Sequence, residues 1–328
     1  MSVVLSHNIE EALQTGGPVV ALETAVLTKG LPHVHWGDQF GNRPAIVAKD
    51  TPINVAAARA MTDAVENAGA IPAWIALING SLRIGLSQIE VEELALDKSA
   101  GKVSLATIAS VMAQHRTAGT TVATTLQACN LVRTHCGHSI KVFATGGIGG
   151  IHRNWSSHFD ISADLRALAT TPTCVVASGA KSILDVAATV ESLETLGVPI
   201  LGFRNDRFPC FIESQSQNDP QIHIVDSVEE VVEICNVHWT QLESVSGVLT
   251  TCQPPEEVAI KRGTLEKVID ETEKKWGSTG EIGATRTPAL LDALAHHTQG
   301  RSIVANLALL CNNASIAGEI AVAMGNTS

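Results

Sequence analysis

Short unbroken apolar runs, each followed by a stretch of helical periodicity, recur along the whole of this chain and leave it few folds to choose from. PVVALETAVL at 18–27 reads as a strand, INVAAARAMTDAVENAG as an alanine-rich helix closed by Gly69, and IPAWIALING as another strand. The alternation continues through the helical pattern of SQIEVEELAL, the segment KVSLATIASVMAQHR, a helix from Thr121 to about Arg133, and the strand IKVFATGGIGG. TCVVASGAKSILD at 173–185 supplies the next strand-to-helix junction. VPILGF and IHIVD are further strands, and VEEVVEICNVHWTQL, PEEVAIKRGTLEKVIDETEKKW, PALLDALAHH and IVANLALLCNNASIAGEIAVAM are further helices. Runs that are apolar on both faces belong to sheets buried on both sides, so an α/β fold is predicted. One segment breaks the rhythm. HVHWGDQFGNRPAIVAKDT, between Pro32 and Pro52, combines aromatics, glycines and a proline, and is predicted to be a long ordered loop, either functional or a tolerated surface insertion.

A hydrophobic share of 45% is ample for the core that such a fold needs. The formal net charge of -11 disfavours nucleic acid and anionic membrane surfaces as partners, while leaving room for one local basic pocket. The cysteines are scattered and never form a C-x-x-C pair, so they read as reduced thiols rather than disulfides or zinc ligands. The first residues lack the basic start and long apolar run of a signal peptide, and no stretch reads as a span of about 20 apolar residues. The cytoplasm is therefore the expected compartment.

Ligands of open α/β sheets lie outside the carboxyl ends of the strands, so polar residues there carry most weight. Glu23 sits among Ala21, Leu22, Ala25 and Val26; if buried it must be paired, metal-bound or raised in pKa, and the alternative is a strand-end glutamate facing solvent. FATGGIGGIHRNWSSHFDISADL places four glycines, which allow close backbone approach to a ligand, ahead of His152, Arg153, His158, Asp160, Ser162 and Asp164. If that segment is helical, Asp160 and Asp164 share a face suited to a hard divalent cation that keeps several waters; alternatively Asp160 or Ser162 only caps the helix ISADLRALA. Lys181, just beyond an apolar strand, is either a solvated turn residue or an amine in a dry pocket, where loss of the ammonium form would leave it able to attack a carbonyl. Asn306 on the last helix reads, on its own, as a satisfied core amide.

Read together and in order, VVALET, NAGAIPAWIALINGSLRIGLS, KVFATGGIGGIHR, HFDISADL, GAKSILDVAATVESLETLGVPILGF and NLALLCNNASIAGEIA resemble the pseudouridine-5'-phosphate glycosidase family, which includes indigoidine-cluster homologues. The resemblance implies one domain over 1–328, with a three-layer α/β/α architecture around a mixed, largely parallel sheet, assembled as a homotrimer. It implies reversible cleavage of the C–C glycosidic bond of pseudouridine 5'-phosphate to uracil and ribose 5-phosphate, with a divalent metal, usually manganese. The implied partner is thus a small nucleotide or C-nucleoside. By motif, Lys181 matches the lysine that forms an imine with C1' of the ring-opened ribose, and Glu23 the proton donor. Asp160 matches the metal ligand, His152 an active-site histidine and Asn306 an active-site asparagine. Ser162, Ala163 and Asp164 match a substrate-contacting segment, and Lys102 and Val122 two further contacts.

These residue types suit that chemistry. A bond from sugar carbon to base carbon cannot be broken by protonating a glycosidic heteroatom, as two-carboxylate glycosidases do, so an electron sink is needed and an iminium at C1' provides one. The chain departs from the family at KVSLATIAS, where relatives usually carry Lys-Val-Ser-Arg-Arg-Asp and Leu105, Ala106 and Thr107 stand here in place of the last three. Loss of two arginines would weaken phosphate binding if they touch it; Lys102, Lys29 or Arg286 are the cations expected to compensate. The loop at about 33–51 is read as an insertion placed where a lid would cover the sugar or base subsite. Three readings follow: the glycosidase itself, the same core used to join ribose 5-phosphate to another base, and a catalytically weak protein that binds a nucleotide or sugar phosphate.

Overall fold

The computed structural model describes residues 3–153, 155–279 and 286–325, and the side chains of His158 and Arg286 fall outside it. The chain opens with β1 (Val3–Leu5), α1 (His7–Gln14) and β2 (Val19–Glu23), whose residues are all buried. PVVALETAVL is thus a strand only as far as Glu23, and a single π-helical turn follows at Val26–Gly30. The break has a local cause. Thr24 Oγ donates to the carbonyl of Ile75 at 2.6 Å and accepts the Thr120 amide at 3.0 Å, and these bonds pin the chain where it leaves the ladder.

α2 (Ile53–Asn67) leads into β3 (Ile71–Ile78), which turns back as β4 (Ser81–Ile84) through Asn79 and Gly80, both at positive φ as a tight hairpin requires. α3 (Gln88–Leu96) begins with a capping box between Ser87 and Glu90. β5 (Gly101–Val103), α4 (Ile108–Ala113), β6 (Ala118–Thr120), α5 (Val122–Cys136) and β7 (Val142–Ala144) complete the first half. Beyond the glycine loop come α6 (Trp155–His158), α7 (Ala163–Thr170), β8 (Cys174–Ala177), α8 (Val186–Thr195), β9 (Ile200–Phe203), β10 (His223–Val225), α9 (Val228–Asn236), β11 (Val248–Thr251), α10 (Glu266–Thr279), α11 (Arg286–His297) and α12 (Arg301–Gly325). The helix predicted from Pro255 begins only at Glu266, because Pro254 and Pro255 without amide hydrogens and Gly263 at φ +81° hold the intervening chain in turns.

Among the described residues the strands form one sheet, in the order β1-β4-β3-β2-β7-β8-β11-β9-β10, with β6 pairing β3 and β5. Pairing is parallel except for β3 with β4 and β3 with β6. α12 lies against β2, β7 and β8 and is flanked by α2 and α9, while α5 packs on α7 and β2. The architecture is the predicted three-layer α/β/α around a mixed, largely parallel sheet. By length and apolarity α12 could cross a membrane, contrary to the reading of the sequence, yet it is a core helix: Leu307, Leu309, Leu310, Ala314 and Ile320 are buried in the domain. The cysteines within the described residues are all free thiols.

Candidate active site

The central strands end on one side of the sheet, and their polar residues line a single cavity of about 300 Å³. Glu23, the last residue of β2, is buried and faces this cavity rather than solvent. Thr145, one residue past β7, donates its hydroxyl to Glu23 Oε1. Burial raises the Glu23 pKa above the ordinary glutamate value; the positive charge of Lys181 and the Thr145 hydrogen bond oppose that rise, and the charge of Asp164 adds to it.

Lys181 enters from the turn after β8. Gly179 stands there at φ +64°, and a Cβ at that position would lie 2.0 Å from the carbonyl oxygen of Pro209, so only glycine fits. The Lys181 amide donates to Ile148 O at 3.3 Å, the Phe211 amide to Ser178 O at 2.9 Å, and Ser182 Oγ to Cys210 O at 3.3 Å. The turn is therefore clamped between the glycine loop and the 208–211 segment, with the lysine side chain on the cavity wall. Lys102, at the middle of β5, lies within electrostatic reach of both Lys181 and Glu23; burial first, and then the charge of Lys181, hold its ammonium below the usual lysine range. The surroundings of Lys181 are thus charged as well as apolar, more polar than its flanking sequence suggests.

The acidic segment is arranged differently from the helical reading. α7 starts at Ala163, so Asp160 precedes the helix and does not share a helical face with Asp164. Ser162 is the N-cap, its Oγ accepting the Asp164 amide at 3.2 Å, as the capping alternative has it. Asp164 is buried and spends both oxygens on backbone: Oδ1 takes the Ala123 amide at 3.0 Å and Oδ2 the Gly149 amide at 2.8 Å. It ties the start of α5, and so Val122, to the glycine loop, and a Cβ on Gly149 would meet Ser162 Oγ at 2.4 Å. Asp160 Oδ2 lies 3.8 Å from His152 Nδ1, and the two backbones pair through His152 N and Asp160 O at 3.1 Å. No group of three or more His, Cys, Asp or Glu converges among the described residues. That donor set fits a hard divalent ion held by one carboxylate and its own waters, and does not fit a fully protein-ligated site.

Asn306 departs from the core-amide reading. It is only 6% exposed, yet its Oδ1 has no hydrogen-bond partner and it lines the cavity. The satisfied amide of that helix is Asn313, whose Nδ2 donates to Thr145 O at 2.9 Å and Ser178 Oγ at 3.1 Å, locking the ends of β7 and β8 together. Glu23, Lys102, Val122, His152, Asp160, Ser162, Ala163, Asp164, Lys181 and Asn306 all line the one cavity. Sequence reasoning missed Thr145, which sits inside a segment already singled out, and Phe211, for which no local signal exists.

The departures at KVSLATIAS lie elsewhere. Leu105, Ala106 and Thr107 turn into α4 and none lines the cavity, whereas Lys102, Ser104 and Lys29 do. Arg286 falls on the undescribed side chains. The 33–51 loop is ordered but does not wall the cavity. Phe40 and Val47 are buried, Trp36 donates Nε1 to Gly41 O at 3.0 Å, and the Phe40 ring stands edge-on to His296 at 6.3 Å. The loop thus braces α11 and the turn to α12 at Gly300 instead of walling the cavity as a lid would.

Comparison with known proteins converges on one family. A family model described as indigoidine synthase A like protein matches residues 44–323. The pseudouridine-5'-phosphate glycosidase of Myxococcus xanthus is 41% identical over 329 residues, covering 100% of both chains, and that of Caldanaerobacter subterraneus is 38% identical, covering 97% of this chain and 95% of its own. An indigoidine synthase A-like protein of Thermotoga maritima superposes with a TM-score of 0.81 at 32% identity, covering 98% of this chain and 97% of that one. The prealnumycin C-glycosynthase AlnA, solved with ribulose 5-phosphate, also reaches 0.81, at 31% identity and covering 100% and 98%. Matched over nearly its whole length by a family model and by full-length relatives, the chain belongs to the pseudouridine-5'-phosphate glycosidase, or indigoidine synthase A-like, family.

Proposed function

We propose that this protein cleaves, reversibly, the C–C glycosidic bond of pseudouridine 5'-phosphate through a covalent adduct on Lys181. The observation that carries this reading is the meeting of an amine, Lys181, and a buried carboxyl, Glu23, whose pKa burial raises, in one cavity large enough for a nucleotide's reacting half. Protonated Glu23 gives its proton to the ribose ring oxygen as the C1'–O4' bond opens, and Lys181 Nζ bonds to C1'. The nitrogen lone pair then forms the C1'=N bond as the bond to the base breaks, its electrons passing to the base carbon, which takes up a proton; water releases ribose 5-phosphate from Lys181. Lys102 lies beside both groups, where its charge favours the carboxylate left on Glu23.

Asp160, with His152 behind it, is the side chain that would hold a divalent cation such as manganese. That cation would supply charge stabilisation for the departing base. Asn306 Oδ1, buried on the cavity wall without a partner, would accept an N–H of the base. Assembly as a homotrimer belongs to the same proposal. The test is uracil release from pseudouridine 5'-phosphate in the presence of manganese: the wild type turns over, and Lys181→Ala and Glu23→Gln fall by at least about a thousandfold, the scale of a lost nucleophile or acid. Unchanged turnover in Lys181→Ala would overturn the proposal. A second reading, C-ribosylation of another acceptor, draws support from the equal likeness to the C-glycosynthase fold. It uses the same residues in reverse.

A further inference from the structure

Beside the main cavity lies a second one of about 100 Å³. The two share Lys29, Gly30, Phe211, Leu291 and Asn306, so they abut along a common wall. The rest of the annex is mostly apolar: Leu31, Pro32, Ile212 and Ile303, with Ser302 and the carboxylate-bearing Asp292. At the junction stands the Asn306 Oδ1, inside a side chain only 6% exposed and with no hydrogen-bond partner. A buried carbonyl left without a donor is a standing cost unless a ligand N–H or O–H satisfies it.

We propose that the annex is an aglycone subsite, which takes a small apolar substituent on the base or ring joined to the sugar. This rests on the C-glycoside reading of the main cavity. The lining of the annex and its charge choose the occupant. Beyond the shared wall that carries Lys29 and Asn306, its lining is mostly apolar, so a charged or hydroxylated group entering it would lose water with little replacement. Asp292 offsets the charge of Lys29, so the annex presents no net positive charge to a phosphate. Ribose 5-phosphate has no uncharged apolar portion, so the part of the substrate that fits is the aglycone. Asn306 then accepts the ring N–H or O–H, and a substituent next to that donor projects past it. At about 30 Å³ per small group, the volume suits a chain of about three carbons.

The experiment uses uracil, 1-propyluracil and 3-propyluracil, each of the latter keeping one ring N–H. Binding of each to the wild-type protein and to Ile303→Phe is measured by calorimetry, and C-glycoside formation from ribose 5-phosphate is followed with manganese present. Each methylene buried in the annex strengthens binding by about 4-fold. One propyluracil is therefore expected to bind about 10-fold or more tighter than uracil in the wild type, and to lose that advantage in Ile303→Phe while uracil binding stays within about 2-fold. Ile212→Phe serves as a second filling variant should Ile303→Phe lower the melting temperature enough to cloud the comparison. Neither propyluracil outbinding uracil, or both filling variants weakening uracil and propyluracil alike, would overturn the subsite. The two readings fail separately. Absence of any C-glycoside product with intact propyl-selective binding would sink the catalytic reading and leave the annex standing; uracil turnover without propyl selectivity would do the reverse.

Discussion

Glu23 shows how one side chain can be costly to the fold and necessary to the site. Its carboxyl is buried at the end of β2 with a single hydroxyl donor, and burial raises its pKa. Between the ordinary value of 4.5 and that raised one, the folded protein holds a proton that the unfolded chain releases. Stability from this group is therefore greatest at low pH and declines as pH rises through that window. Glu23→Gln keeps an acceptor for Thr145 without the charge. It is predicted to unfold at a higher temperature than wild type at pH 8, by roughly 2 °C per kcal/mol gained, and to converge with wild type near pH 4, as followed by thermal melts across pH. Activity of the wild type should likewise fall as pH rises through the same titration, since the acid form is the donor. Glu23 and Lys181 were legible because apolar flanks at strand ends leave a charged residue few places to go. Asn306 was legible only through the resemblance and not from its own segment, since whether an amide is satisfied depends on neighbours at the ends of β7 and β8 far away in sequence; those neighbours chose Asn313 instead.

At the scale of elements, the site is held by loop-to-loop clamps that the alternation of strands and helices does not announce. Asp164 joins the start of α5 to the glycine loop by two amide bonds. Asp164→Asn turns one acceptor into a donor facing an amide, so it is predicted to cost about 1–3 kcal/mol, read as a lower denaturant midpoint with unchanged slope, and to impair turnover through misplaced Val122 and Gly149. Gly179→Ala puts a Cβ against the Pro209 carbonyl at positive φ and is predicted to cost about 2–4 kcal/mol and to displace Lys181. A wild-type melting temperature in Gly179→Ala would show that the turn is looser than this packing implies. The same scale explains the misread boundaries. The Thr24 hydroxyl ended β2 early, paired prolines delayed α10, and Ser162 moved α7 past Asp160, each through a local bond that periodicity does not record. The 33–51 loop was recognisable as exceptional, but only the contact of its Phe40 with His296 shows that it braces α11.

Over the whole molecule, the sheet sets the chemistry in place. β2, β7 and β8 lie side by side, so Glu23 and Lys181, more than a hundred positions apart, line one cavity, while Thr145 just past β7 holds Glu23 from behind. The layered fold was legible because strands buried on both faces have no other home, whereas the cavity walls contributed by α11, α12 and Phe211 arise from tertiary packing alone. The account's central claim is that Lys181 becomes covalently bound to the sugar carbon while the C–C bond is broken. Borohydride added during turnover of pseudouridine 5'-phosphate, followed by peptide mass spectrometry, tests it most directly. The account predicts a reduced ribose 5-phosphate adduct on the peptide carrying Lys181, absent in Lys181→Ala. Turnover to uracil with no adduct on that peptide, or with the adduct on Lys102 instead, would contradict it.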